Sequence, residues 1–351
     1  MIITKDRQHT MKAIILTQYG PPDVLQLQEV PKPTPREKEI LVRVAATSVG
    51  FGDLMARNFK AVTPRDFNMP WPLWLISKFY FGPSSPKVRI LGSEFSGVVE
   101  SIGSAVTSFK PGDPVFGFLG QAMGAYAEYI CLPENGVVAH KPANLSFEQA
   151  AVLPYGAIMA LNLLQKGGLR QGEKILVLGA SGSIGSAAVQ LASRHFGAEV
   201  TGVCGAPGLE YVKALGARQV IDYTRQDFTQ NGETYDLIFD ILGRSSFPKI
   251  KNSLAPGGRC LYASFKSQQL GQMLRTSLSG SQKVICAIAP GSRADLLAVK
   301  DLAEAGKLAP IVQRSFPLEQ TAEAHRAVEQ GHKQGAVAIT VGAKHLSPIP
   351  E

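Results

Sequence analysis

The segment Lys174-Ile-Leu-Val-Leu-Gly-Ala-Ser-Gly-Ser-Ile-Gly-Ser-Ala-Ala-Val-Gln-Leu-Ala constrains this chain more than any other. Ile175–Leu178 reads as a short buried strand, and the small and apolar residues beyond Gly185 recur at helical spacing. Between them, Gly179-Ala-Ser-Gly-Ser-Ile-Gly185 supplies glycines for a tight turn. Backbone N–H groups at such a turn can close on a pyrophosphate, which then sits at the positive end of the helix. A glycine pattern alone is weak. Set between a strand and a helix within a βαβ unit, it becomes the mark of a dinucleotide site.

The end of the following strand separates the two nicotinamide dinucleotides. An NADH-preferring site places Asp or Glu there to accept hydrogen bonds from the adenosine ribose. Here the run is Val200-Thr-Gly-Val-Cys-Gly205, without a carboxylate. Room is left for a 2′-phosphate, so NADPH is the expected cofactor.

Around this loop, strands alternate with helices. A helix is predicted from Ser146, its N-cap, to Lys166, with Glu148 and Gln149 in the first turn. Strand-like runs follow at Glu199–Val203, Gln219–Ile221, Leu237–Asp240 and Cys260–Ala263, with helices at Gly208–Leu215 and near Ser246–Leu254. That order predicts an α/β unit with a doubly wound parallel sheet. The first 140 residues differ. Short runs at Met11–Leu16, Ile40–Val44, Gly97–Ile102, Pro114–Phe118 and Tyr126–Leu132, separated by Pro and Gly, suggest a small β barrel or roll. The tail mixes helices (Ala294–Ala305, Leu318–Glu329) with strands (Ile311–Phe316, Ala336–Val341), as if returning to the first domain.

Composition narrows the classes. At 351 residues, 45% hydrophobic and 18% charged, the chain can bury two ordinary cores. It holds no apolar run of about 18 residues, so no membrane span is expected. The formal charge of +8 would suit nucleic acid only if the basic residues clustered, and they do not. Cys131, Cys204, Cys260 and Cys286 stand far apart, with no C-x-x-C pair, and read as reduced thiols in a cytoplasmic protein. The N-terminus lacks the apolar core of a secretory signal.

Several further motifs fall in a definite order: Leu91-Gly-Ser-Glu-Phe-Ser-Gly-Val-Val-Glu-Ser-Ile-Gly103, Phe109-Lys-Pro-Gly-Asp-Pro-Val-Phe-Gly117 and Gly124-Ala-Tyr-Ala-Glu-Tyr129. After the glycine loop come Gly216-Ala-Arg-Gln-Val-Ile-Asp-Tyr223 and Gly331-His-Lys-Gln-Gly-Ala-Val-Ala-Ile339. With these, the chain from Met11 to Val341 resembles the zinc-free quinone oxidoreductase branch of the medium-chain dehydrogenase/reductase superfamily. The resemblance implies a GroES-like β-rich catalytic domain over 1–140 and 285–351, a Rossmann domain over 141–284, and a cleft between them. It also implies a homodimer formed through the Rossmann sheets. Carried over by position, Ser181, Gly182, Ser183 and Ile184 would hold the pyrophosphate, and Gly205 and Tyr223 would border the 2′-phosphate and ribose. Ser264, Ala287 and Ala289 would line the nicotinamide side, with His332, Lys333 and Gln334 reaching back to the cofactor.

Zinc-dependent relatives carry ligands where this chain has Gly50, Ser93 and the Leu153-Pro-Tyr155 stretch. Those residues cannot assemble a tetrahedral N/S site, so no zinc is expected. Without a Lewis acid, an unactivated alcohol is a poor substrate. Hydride transfer to a quinone or an α,β-unsaturated carbonyl needs no metal. The two alternatives are a reductase of one dedicated carbonyl metabolite and a non-catalytic NADPH-binding scaffold. Catalytic candidates are few. The resemblance puts Gly50 and Met55 at positions often held by Asn and Tyr in quinone oxidoreductases, so both belong to the expected substrate pocket. Asp53 is retained and could orient its loop, while Tyr155 at the domain junction is a conceivable proton donor. Residues 59–90 form a long insertion with Phe67, Trp71, Trp74, Phe79, Tyr80 and Phe81 among prolines. Trp71 and Trp74 read as an apolar wall over a bulky acceptor, against a dimer contact or a membrane-surface contact.

Overall fold

The structure is a computed structural model and describes residues 10–278, 280–331 and 334–342. Among these no helix is long and apolar enough to cross a membrane.

Six parallel strands form the expected doubly wound sheet. Their spatial order is Gln219–Asp222, Glu199–Cys204, Lys174–Leu178, Tyr235–Asp240, Leu254–Tyr262 and Lys283–Cys286. The chain order along the sheet therefore reverses between Lys174–Leu178 and Tyr235–Asp240. Ligands of open α/β sheets bind at that reversal, outside the carboxyl ends of the strands. Both strands are buried along nearly their whole length, as near-continuous Ile, Leu, Val and Phe require of a sheet covered on two faces. The last strand, Lys283–Cys286, is too short to stand out in the sequence. It carries the sheet past residue 284, and helix Arg293–Glu304 packs Leu296, Val299 and Ala303 into the same core.

The β-rich part is a seven-stranded sheet in the order Val312–Pro317, Ala336–Thr340, Glu39–Ser48, Glu94–Ile102, Pro114–Phe118 and Val138–His140, with Tyr129–Pro133 also paired to Glu39–Ser48. Thr10–Leu16 and Leu25–Pro31 pair as a separate ribbon. Two C-terminal strands thus complete a sheet begun by the N-terminal half, as the tail's mixed pattern suggested.

The helix expected as one piece from Ser146 to Lys166 is two. Ser146 and Gln149 cap each other reciprocally at the start of Phe147–Ala151. Pro154 has no N–H to continue that helix, so a new one begins there and runs to Lys166. Its first turn, at the junction of the two domains, leaves the Tyr155 N–H free for a partner outside the helix. The insertion also has structure of its own, a helix over Trp71–Phe81.

Candidate active site

The glycine loop is built as its residues dictate. Gly179 has φ +89°, a conformation that favours glycine. A Cβ on Gly185 would stand 2.1 Å from the Gly179 carbonyl oxygen, so only glycine lets the helix start this close to the strand. Helix Ser183–Arg194 begins at Gly182 with no side-chain cap, and its first N–H groups are left for an external acceptor. An uncapped twelve-residue helix rising from a glycine turn at the sheet's reversal point fits a dinucleotide pyrophosphate.

Two grooves meet at this loop. One, of about 840 Å³, runs past Cys204, Gly205, Pro207 and Tyr223 and includes Ser181 and Gly182. The other, of about 490 Å³, lies between the domains and takes in Ser181, Gly182, Ser183, Ile184, Ser264, Gly50 and Tyr155. A side cavity bordered by Phe51, Met55, Asn68, Ser264 and Phe265 adjoins it. Tyr223 is 65% exposed, with its ring 3.6 Å from where a Gly205 Cβ would stand. Gln334 reaches the same end, its amide donating to the Pro207 carbonyl at 2.7 Å. His332 and Lys333 lie outside the described residues.

Four residues expected at the cofactor or substrate pocket stand elsewhere. Ala289 is buried in the core around helix Pro154–Lys166, and Ala287 packs against that core, so neither lines a groove. Trp71 and Trp74 line none of these cavities either. Trp74 is tied to the Val62 carbonyl at 2.8 Å, while Trp71 is 60% exposed. The insertion meets the cleft through Asn68 instead, whose carbonyl accepts the Phe265 N–H at 3.0 Å. Their wide apolar rings suggested a wall, but neither ring borders the cleft or its side cavity.

Asp53 is fully buried and lines no groove. Its carboxylate accepts the Gly50 N–H at 2.8 Å and the Gly92 N–H at 3.0 Å, and burial raises its pKa to about 6. It therefore caps helix Phe51–Arg57 and holds the Gly50 and Gly92 loops together, a positioning role. The Tyr155 ring stacks near Phe118 at 5.8 Å. Burial first, then the Glu94 and Asp53 charges, push its hydroxyl up to about 12. A phenol that holds its proton so firmly is a poor donor.

Two residues missing from the sequence expectations are at the site. Glu94 is the sole carboxylate among the described residues lining the cleft between the domains. One oxygen accepts the Ser48 hydroxyl at 2.5 Å, and the other accepts the free Tyr155 N–H at 2.7 Å. At 3% exposure, desolvation outweighs both hydrogen bonds and raises its pKa to about 7. Arg244 borders the groove by Tyr223 and the side cavity by Met55. Its loop is shaped by buried Asp240, which accepts the N–H groups of Leu242, Gly243 and Ser245 at 2.8–3.0 Å.

This fold, with its groove at the sheet reversal and its interdomain cleft, defines a nicotinamide-dinucleotide oxidoreductase. Residues 36–143 match the family model for the alcohol dehydrogenase GroES-like domain, and residues 215–339 that for zinc-binding dehydrogenases. The chain is 31% identical to the mitochondrial NAD(P)H oxidoreductase RTN4IP1 of Mus musculus, over 96% of this chain and 91% of that one. It is 30% identical to a 2-methylene-furan-3-one reductase of Solanum lycopersicum (94% and 79% covered). Against the quinone oxidoreductase of Sus scrofa the identity is also 30% (94% and 96%). The solved quinone oxidoreductase of Coxiella burnetii superposes with a TM-score of 0.80 at 28% identity, covering 95% and 99%. The chain belongs to the medium-chain dehydrogenase/reductase superfamily, in its quinone oxidoreductase-like branch. One family model carries zinc in its name, but the residues at the expected ligand positions do not fit that metal. Gly50 and Ser93 offer no N or S ligand, and among the described residues no three His, Cys, Asp or Glu side chains converge on a metal position.

Proposed function

We propose that this protein is an NADPH-dependent, zinc-independent reductase of α,β-unsaturated carbonyls or quinones. The observation that carries the reading is the buried carboxyl of Glu94 at the cleft, paired with the Ser48 hydroxyl. When bound, the dinucleotide supplies the hydride. The chain's own residues supply position and a proton. The uncapped helix start at Ser183–Gly185 and the Ser181 and Gly182 turn hold the pyrophosphate. Tyr223, Gly205, Gln334 and Arg244 border the adenosine end, where a cation and the lack of an acidic residue at Gly205 favour a 2′-phosphate. Ser264 and Gly50 border the largely apolar cleft, where the acceptor sits, and Met55 and Asn68 border the side cavity that adjoins it.

Reduction adds a hydride to the acceptor and leaves an enolate or a hydroquinone monoanion that needs one proton. With its pKa near 7, Glu94 holds that proton at neutral pH and can still release it. Ser48 also lines the cleft. When Glu94 carries the proton, its O–H can donate to Ser48 Oγ, so that the Ser48 hydroxyl proton passes to the acceptor and the Glu94 proton replaces it. A homodimer is part of the reading. The open sheet edge at Lys283–Cys286, with Leu274, Leu278 and Ile288 exposed near it in sequence, supports it.

The test is NADPH consumption, followed by nicotinamide absorbance, with phenanthrenequinone, a para-benzoquinone, an acyclic enone and a saturated ketone. NADH runs in parallel. Turnover of the quinones or the enone, with the ketone inert and NADPH preferred, is expected. Silence on all four acceptors with NADPH still bound would remove the proposal.

A further inference from the structure

The helix Trp71–Phe81 is the most apolar exposed element among the described residues. Trp74, Ser77 and Phe81 face the protein, and Phe81 packs against Phe59 with ring centroids 5.1 Å apart. Outside stand Trp71, Leu73, Leu75, Ile76, Phe79 and Tyr80, with Ile76 64% and Phe79 61% exposed. At about 100° per residue, these six positions sweep roughly 200° of the helix circumference. A helix seated on one protein neighbour buries a stripe of about 100°. An arc twice as wide suits a surrounding apolar medium better than a flat partner.

The charges beside it have one sign. Residues 54–93 hold six Lys or Arg (Arg57, Lys60, Arg65, Lys78, Lys87 and Arg89) against one carboxylate, Asp66. Asp66 is engaged by Thr63, and Arg57 is buried against His325 and Glu329. Lys78 Nζ lies 4.7 Å over the Trp74 ring, and Lys87 Nζ donates to the Phe79 carbonyl at 3.0 Å. Ammonium groups thus flank the base of an apolar, aromatic ridge, with Lys60 exposed in the short helical turn Phe59–Ala61 that precedes it. A helix of 11 residues is too short to span a bilayer. It is long enough to lie in the boundary between headgroups and acyl chains, where Trp and Tyr prefer to sit.

We infer that this ridge is a peripheral docking surface for an anionic lipid bilayer, with Trp71, Ile76 and Phe79 entering the acyl boundary and Lys78, Lys87 and Lys60 meeting headgroup phosphates. The surface is distinct from the cleft, and its test does not depend on the acceptor the cleft reduces.

Trp71 and Trp74 are the only tryptophans of the chain, so its tryptophan emission reports on this helix alone. The full-length protein is titrated with vesicles of phosphatidylcholine, with or without phosphatidylglycerol, and binding is checked by sedimentation. Anionic vesicles should shift the emission to the blue and carry the protein down, with affinity about tenfold or more above that for phosphatidylcholine alone. Ile76→Asp should abolish both signals, and Lys78→Glu with Lys87→Glu should remove the preference for anionic lipid. All three positions lie outside the cleft, so turnover of a water-soluble acceptor should be unchanged. Absence of shift and sedimentation on anionic vesicles would overturn the inference, as would equal binding to both compositions. A blue shift that grows with protein concentration without lipid, and is lost in Ile76→Asp, would assign the ridge to a second copy of the chain instead.

Discussion

Replacing Glu94 by Gln tests the proton source at the site through stability as well as rate. Burial lifts the Glu94 carboxyl from its ordinary 4.5 to about 7. The folded protein therefore holds this proton more tightly than the unfolded chain does. The resulting contribution is full at low pH and is lost as pH rises through about 7. At about 1.4 kcal/mol per pH unit, the gap costs the wild type roughly 2–3 kcal/mol between about pH 5 and about pH 8. Glutamine is nearly isosteric, can accept the Tyr155 N–H, can donate to Ser48 Oγ, and never ionises. Urea unfolding at both pH values should show Glu94→Gln close to wild type at the acid end and more stable by roughly 2–3 kcal/mol at the alkaline end. The same variant should lose kcat by about a hundredfold or more, without losing affinity for NADPH. The wild-type kcat should fall as pH rises through about 7, and the variant's residual rate should lack that limb. Parallel stability curves for the two proteins, or an unchanged kcat, would refute the reasoning.

Arg244→Ala and Tyr223→Ala should each raise the KM for NADPH about tenfold while leaving that for NADH within about threefold, in line with one lost charge-assisted or stacking contact. Equal effects on both cofactors, measured by steady-state kinetics, would remove these residues from the 2′-phosphate end. Treatment with EDTA should leave turnover intact, and loss of rate restored by zinc would reinstate a metal that the donor set does not fit. His325 is buried between Arg57 and Tyr126, each 3.1 Å from a ring nitrogen, and burial with the Arg57 charge pushes its pKa down to about 3. The unfolded chain protonates this ring first, so its contribution is full above about pH 6.5 and drains away as pH falls toward 3. By about pH 4.5 the loss should reach roughly 2–3 kcal/mol in wild type, and His325→Gln should flatten that acid limb in urea unfolding. An unaltered limb would show that another group controls it.

What could be read from the sequence was what is local. Strand, glycine turn and helix are contiguous, so Ser181 to Ile184 could be placed on the groove before any coordinates. The β-rich opening and the tail's return were legible because Pro and Gly punctuate short apolar runs. Glu94 was not, because its meaning lies in partners 46 and 61 residues away, Ser48 and Tyr155. One signal was present: a lone carboxylate inside the small and apolar run Leu91–Val99, where a surface residue is not expected. Arg244 depends on a loop organised by Asp240, a fold made only once the strand Tyr235–Asp240 is in its sheet. The helix Trp71–Phe81 escaped because it is apolar on nearly every face. With no polar stripe there is no 3.6-residue period to detect, and its prolines look like loop punctuation. The same absence of a polar face is what leaves Ile76 and Phe79 in the open.

The most direct measurement of hydride reduction at an activated double bond uses NADPH deuterated at the transferable position, with an acyclic enone and EDTA-treated enzyme. The saturated product should carry one deuterium at the β-carbon, with the α-hydrogen drawn from the protein or solvent. Deuterium at the carbonyl carbon, giving an alcohol, or a product without label would contradict it.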